Sequence, residues 1–200
     1  QLDKAIAVLK AAKKPLIISG GGVRYSLAEE VLGDIAQARG IPLCETIAGK
    51  GAVLHEHPAY VGGIGVTGSA SANAMAAEAD VIVAIGTRLQ DFTTGSWTSF
   101  KADAQFISIN AARFDATKHR AISVVGDARE SLREMDAALG DWSAPCSWME
   151  KGRDEMAKWD SLIDELQKPS NAHIPSYAQV IKVVQDNART EDLVITAAGG

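Results

Sequence analysis

Residues Gly62 to Trp97 constrain the fold of this chain more than any other stretch. They read as a glycine-rich loop, a helix of small residues, an apolar strand and a second glycine-bearing loop. Gly62, Gly63, Gly65 and Gly68 let the backbone approach something closely, or take dihedrals that a Cβ forbids. Thr67 or Ser69 can cap the helix that follows. Ala70, Ala72, Ala74, Ala76, Ala77 and Ala79 keep that helix thin, so it can lie close to a sheet. Val81-Ile82-Val83-Ala84-Ile85 has the pattern of a strand buried on both faces. Its carboxyl end opens into Gly86-Thr87-Arg88-Leu89-Gln90-Asp91. Ligands of open parallel sheets sit beyond the carboxyl ends of strands. The loops on both sides of this strand are therefore candidate binding loops.

The same alternation runs along the chain. Leu16 to Ser19, Ile41 to Glu45, Gln105 to Ile109, Ile122 to Val125 and Asp192 to Thr196 read as further strands. Tyr60-Val61, before the glycine loop, is a poor strand. Leu2, Ile6 and Leu9 mark a first helix. Ser26-x-x-Glu29, Ser147-x-x-Glu150 and Ser176-x-x-Gln179 have capping-box spacing, and Asp127 can cap a helix ending near Gly140. Gly40 is placed to stop the helix that begins near Ser26. Strands alternating with helices imply right-handed crossovers and a parallel sheet covered on both faces. The expected architecture is α/β: a Rossmann-like open parallel sheet over residues 1–140, then a helical linker over 141–191. Asp141 to Cys146 and Pro169 to Ile174 read as looser breaks.

Composition excludes several classes. A net charge of -5 argues against nucleic acid as a partner, because a phosphate footprint needs clustered Lys and Arg. No apolar run approaches the roughly 18 residues of a membrane span, and no signal-peptide pattern occurs. Cys44 and Cys146 are the only cysteines, which suits a reduced, cytoplasmic setting and argues against a cysteine zinc site. The chain opens on Gln1-Leu2 and closes on Ala198-Gly199-Gly200, and a fragment of a longer protein is expected.

Each candidate motif has two readings. Gly63-x-Gly65-x-x-Gly68 matches a dinucleotide fingerprint, but needs a preceding strand. Gly20-Gly21-Gly22 follows a strand, yet Tyr25 stands where the third fingerprint glycine would fall. Tight helix-on-sheet packing explains both loops equally well. Arg88 can clamp a phosphate or carboxylate, or pair with Asp91 and order its own loop. His55-Glu56-His57-Pro58 reads as a surface turn, not a metal site.

The order of these motifs resembles the central domain of thiamine-diphosphate enzymes, the acetolactate synthase superfamily. The resemblance rests on Lys14 to Gly22, Gly40-Ile41-Pro42, Gly63 to Gly68, Gly86-Thr87-Arg88, Ile107 to Asn110 and Val125-Gly126-Asp127. Within that group, Gly20 to Ser26, Glu45 to Gly51 and Thr87 to Trp97 resemble the trihydroxycyclohexanedione hydrolases of inositol catabolism. The resemblance implies a three-domain, homodimeric or homotetrameric parent, with residues 192–200 opening a pyrophosphate-binding domain. It implies hydrolytic opening of a cyclic 1,2-diketone, with thiamine diphosphate as electron sink and Mg2+ as metal. Both cofactors would be held outside this chain, which alone would have no catalytic residue. The alternatives are an acetolactate-synthase-like carboligase or decarboxylase domain, and a free-standing nucleotide-binding module. A sirtuin-like deacylase is disfavoured by the two cysteines.

Some relatives hold FAD or ADP on this domain. Gly21, Gly22, Thr67, Gly68, Ser69, Arg88, Asp91 and Asp127 match the positions they use. The chain departs at Asn110 and at Gln90, where FAD-binding relatives carry Asp. Strong FAD binding is therefore not expected, and Asn110→Asp with Gln90→Asp is expected to strengthen it where the geometry is otherwise retained.

Overall fold

A computed structural model describes residues 1–195. Helix α1 (Leu2–Ala11) buries Ala5, Ile6 and Leu9 on the stripe its periodicity predicts. Strand β1 (Pro15–Ser19) follows, then the short α2 (Gly21–Tyr25) and α3 (Glu29–Ala38). Next come β2 (Leu43–Glu45), β3 (Tyr60–Gly63), α4 (Ala70–Glu78) and β4 (Val81–Ile85). Helix α5 (Asp91–Thr94), β5 (Gln105–Asn110), α6 (Arg113–Ala116), β6 (Ile122–Val125) and α7 (Ala128–Leu139) complete the alternation. Two helices follow, α8 (Cys146–Gln167) and α9 (Tyr177–Asn187).

The six strands form one parallel sheet in the order β3-β2-β1-β4-β5-β6. The order reverses between β1 and β4, which makes a topological switch point there. Side chains alternate between the faces. Ile17, Val83 and Ile107 join one apolar cluster, with α1, α3 and α7. Leu16, Ile18, Ile82 and Ala84 join the other, against Ala72, Met75 and Ala76 of α4. The small-residue helix is thus packed on the sheet as its alanines predict.

The register levels the carboxyl ends. Ser19 lies beside Glu45 of β2 and Ile85 of β4, and Ile85 beside Ile109 of β5. The loops leaving these four strands therefore emerge together.

The contacts divide the chain into a unit ending at Trp159 and a second unit beginning at Asp160. The first unit extends past Gly140 because the start of α8 is anchored on it. The Trp148 indole N–H donates to the Pro15 carbonyl at 2.8 Å, and Trp148, Met149 and Met156 are buried. The break at 141–146 is also tied down. The Ala144 N–H donates to the Arg39 carbonyl at 2.8 Å, and the Trp142 indole N–H to the Lys10 carbonyl at 3.1 Å.

Four local expectations need correction. Ser26 starts no helix: Leu27 has φ 50 and α3 begins at Glu29, while the Ser26 hydroxyl accepts from the Ala128 N–H at 3.3 Å. Ser147 is already inside α8, which begins at Cys146. Tyr60-Val61 does lie in a strand, because the edge of β2 holds it: Leu43 N–H donates to the Ala59 carbonyl at 2.7 Å. Asp192–Ile195 form no strand. Asp192 instead closes a local turn, taking the Arg189 N–H at 2.8 Å, and Leu193 to Ile195 stay exposed. Thr196 and the rest of that expected strand lie outside the described residues. Asp127, Ser69 and Ser176 cap α7, α4 and α9 as expected, Ser176 within a full capping box.

Candidate functional site

The switch point carries a cavity of about 670 Å³ at the carboxyl edge of the sheet. Gly21, Gly22, Arg88 and Asn110 line it, so four of the expected residues meet there. Tyr25, Thr46, Ile47 and Phe92 also line it and were not anticipated. Thr67, Gly68 and Ser69 line a neighbouring cavity of about 330 Å³, with Glu45, Lys50 and His55. Thr46 and Ile47 border both cavities. Asp91 and Asp127 line neither.

Close packing accounts for the glycines. A Cβ on Gly22 would stand 2.6 Å from the Gly86 Cα, and the Gly22 N–H donates to the Gly86 carbonyl at 2.9 Å. The loops after β1 and β4 thus touch backbone to backbone. In the fingerprint motif, a Cβ on Gly68 would lie 2.4 Å from the Gly63 carbonyl oxygen. That motif does follow a strand and precede a helix, but the strand is at the sheet edge, away from the switch point.

Polar groups divide into the committed and the free. Asn110 Nδ2 donates to the Thr87 carbonyl at 3.1 Å, and its Oδ1 accepts from the Ala112 N–H at 2.9 Å. Ser69 Oγ accepts from the Ala72 N–H at 3.2 Å and donates to the Gly63 carbonyl at 3.2 Å. The Asp127 carboxylate accepts from the Arg129 and Glu130 amides. The Ser26 hydroxyl, first, and these amides hold it below the ordinary carboxylate range. Asp127 is therefore a cap. Asp115, on the cavity rim, pairs with Lys118 at 2.6 Å. Arg88 is different. Its exposed guanidinium has no hydrogen bond or ion pair among the described residues, so it does not pair with Asp91. The crevice thus presents an unneutralised cation and few free acceptors.

Glu45 is the buried carboxylate that sequence reasoning missed. It is 2% exposed and takes the Gly51 and Val53 amides at 3.2 Å each, folding the loop after β2 back onto the sheet. Its position as the last residue of β2 was the available signal.

Over residues 2–135 the chain matches the family described as thiamine pyrophosphate enzyme, central domain. The chain belongs to this family. A relative from Clostridium perfringens, named 3D-(3,5/4)-trihydroxycyclohexane-1,2-dione hydrolase, is 45% identical over 140 residues, 70% of this chain and 22% of that protein. Relatives of the same name from Geobacillus thermodenitrificans and Bacillus cereus are 45% and 40% identical, over 69% and 82% of this chain. These cover 21% and 26% of the relatives' own lengths. The central domain therefore spans about a quarter or less of the curated relatives it matches. No helix among the described residues is long and apolar enough to cross a membrane.

Proposed function

We propose that this chain serves as the central domain of a longer thiamine-diphosphate-dependent hydrolase. That parent opens the ring of a trihydroxycyclohexane-1,2-dione in the cytoplasmic breakdown of inositol, as a homodimer or homotetramer. The observation that carries the reading is the central-domain match over residues 2–135, joined to relatives that bear the hydrolase name at 40–48% identity.

In this reading thiamine diphosphate and magnesium are held elsewhere in the parent. Among the described residues no group of three or more His, Cys, Asp or Glu is placed to hold a metal ion. No catalytic step then falls to residues of this chain. Its part is positional: the Gly22–Gly86 contact, the Asn110–Thr87 hydrogen bond and the Glu45 amide bonds fix the loops at the carboxyl edge.

In this reading the switch-point crevice offers a nucleotide few free acceptors. The Gly20 and Gly22 amides are used internally, and both ends of the Asn110 side chain are committed. Gln90 is neutral. Arg88 and the Gly21 backbone favour weak anion binding, and strong FAD binding fails for want of a carboxylate at the ribose. Ring opening of the dione by the polypeptide that carries this domain, compared with the domain alone, tests the reading.

A further inference from the structure

A third cavity, of about 520 Å³, lies at the opposite end of the strands, where β5 and β6 begin. Its wall is a cluster of four rings. The Trp97 and His119 ring centroids lie 3.6 Å apart with the planes tilted by 35°, and Trp97 meets Phe106 edge-on at 5.3 Å. Phe100 stands edge-on to Phe106 at 5.2 Å. Burial, then the neighbouring Lys118, lower the His119 pKa below the ordinary imidazole value.

The backbone at both members of this ring pair is in the left-handed region. Ser96 and Trp97 have φ 52 and 69, and His119 and Arg120 have φ 58 and 57. Residues with a Cβ adopt such angles rarely, and their clustering marks ligand clamps and switches.

The rim is cationic. Lys4, Lys101 and Arg120 line the cavity, and none has a side-chain hydrogen bond or ion pair among the described residues. Asp103 is the only carboxylate of the lining, leaving the cavity with an excess of positive charge. Three cations facing one carboxylate leave like charges that repel. An anion relieves that repulsion, and the aromatic wall selects one that can stack over one that stays fully hydrated.

We propose that this cavity is a binding site for a planar aromatic anion, its ring stacked on the Trp97–Phe100–Phe106–His119 cluster and its acidic group held by Lys4, Lys101 and Arg120. The site is independent of the carboxyl-edge crevice and of the parent's chemistry.

The probe is 2-naphthoate, titrated into the whole chain and read by NMR shifts of the His119 ring. Cyclohexanecarboxylate and 2-naphthylmethylammonium serve as controls. Saturable shifts should appear with naphthoate, weaken as NaCl rises, and be at least several-fold weaker with either control. Lys101→Gln with Arg120→Gln changes exposed residues only and should weaken naphthoate roughly tenfold or more, the weight of one or two charge-assisted contacts. Phe100→Leu should weaken it without changing the salt dependence. No saturable shift, equal binding of the ammonium probe, or unchanged affinity in the double variant would overturn the proposal.

Discussion

The side-chain amide of Asn110 donates to the carbonyl of Thr87 at 3.1 Å, tying the end of β5 to the loop after β4. A carboxylate cannot make that donation. Asn110→Asp therefore removes a structural bond before it supplies a ribose acceptor. The variant should lose about 1 kcal/mol or more of stability, since it also faces one acceptor with another. Asn110→Asp with Gln90→Asp should still show no saturable FAD binding at micromolar concentration. Denaturant unfolding and titration calorimetry check the two halves. A stable variant that binds FAD tightly would show that the Thr87 contact is dispensable.

Trp148 closes the first unit. Trp148→Phe keeps most of the apolar area but strands the Pro15 carbonyl in a buried site. A loss of about 1–3 kcal/mol is expected. Limited proteolysis should cut first between Lys168 and Pro175, where the chain is exposed and irregular, and not at 141–146, where Ala144 and Trp142 are bonded. A first cut at 141–146 would contradict the anchoring.

The two thiols should react in sequence. Cys44 is fully buried, and desolvation, then the Glu45 charge, push its thiol pKa far upward. Cys146 is exposed. A thiol reagent at pH 8 should label one cysteine quickly and the second only on unfolding. Mass spectrometry of digested protein identifies which; fast labelling of Cys44 would be inconsistent with the core as described.

Glu78 sets an acid dependence. Lys14, at 2.9 Å, and Lys151 lower its pKa from 4.5 to about 2. A depressed folded-state pKa adds stability above pH 4.5 that is lost as pH falls toward 2. The partners are more than a third exposed, so solvent screening holds the effect below about 1 kcal/mol. Glu78→Gln should therefore lose less stability between pH 5 and 2 than the parent chain. Equal acid sensitivity in both proteins would remove Glu78 from the account.

What sequence revealed follows from where the information is local. Val81 to Ile85 announces a strand buried on both faces through its own residues, and Asp127 and Ser176 announce caps through short spacing. Tyr60–Gly63 offers only two apolar residues among four, and its strand depends on hydrogen bonds lent by β2. Ser26 carries the right spacing for a box, yet α2 takes up the chain at Gly21 and Leu27 then breaks the helix. The candidate loops were legible from the switch-point rule. Their separation into two cavities was not, because the wall of Thr46 and Ile47 arises from the loop that Glu45 folds back.

The central claim is that this domain positions, and other parts of a longer hydrolase react. Its most direct test is turnover of 3D-(3,5/4)-trihydroxycyclohexane-1,2-dione with thiamine diphosphate and Mg2+, measured on the isolated chain and on the polypeptide that carries it. Cofactor-dependent ring opening is expected from the longer polypeptide and none from the 200-residue chain. Turnover by the isolated chain, or a longer polypeptide that condenses 2-oxoacids and leaves the dione intact, would contradict the central claim.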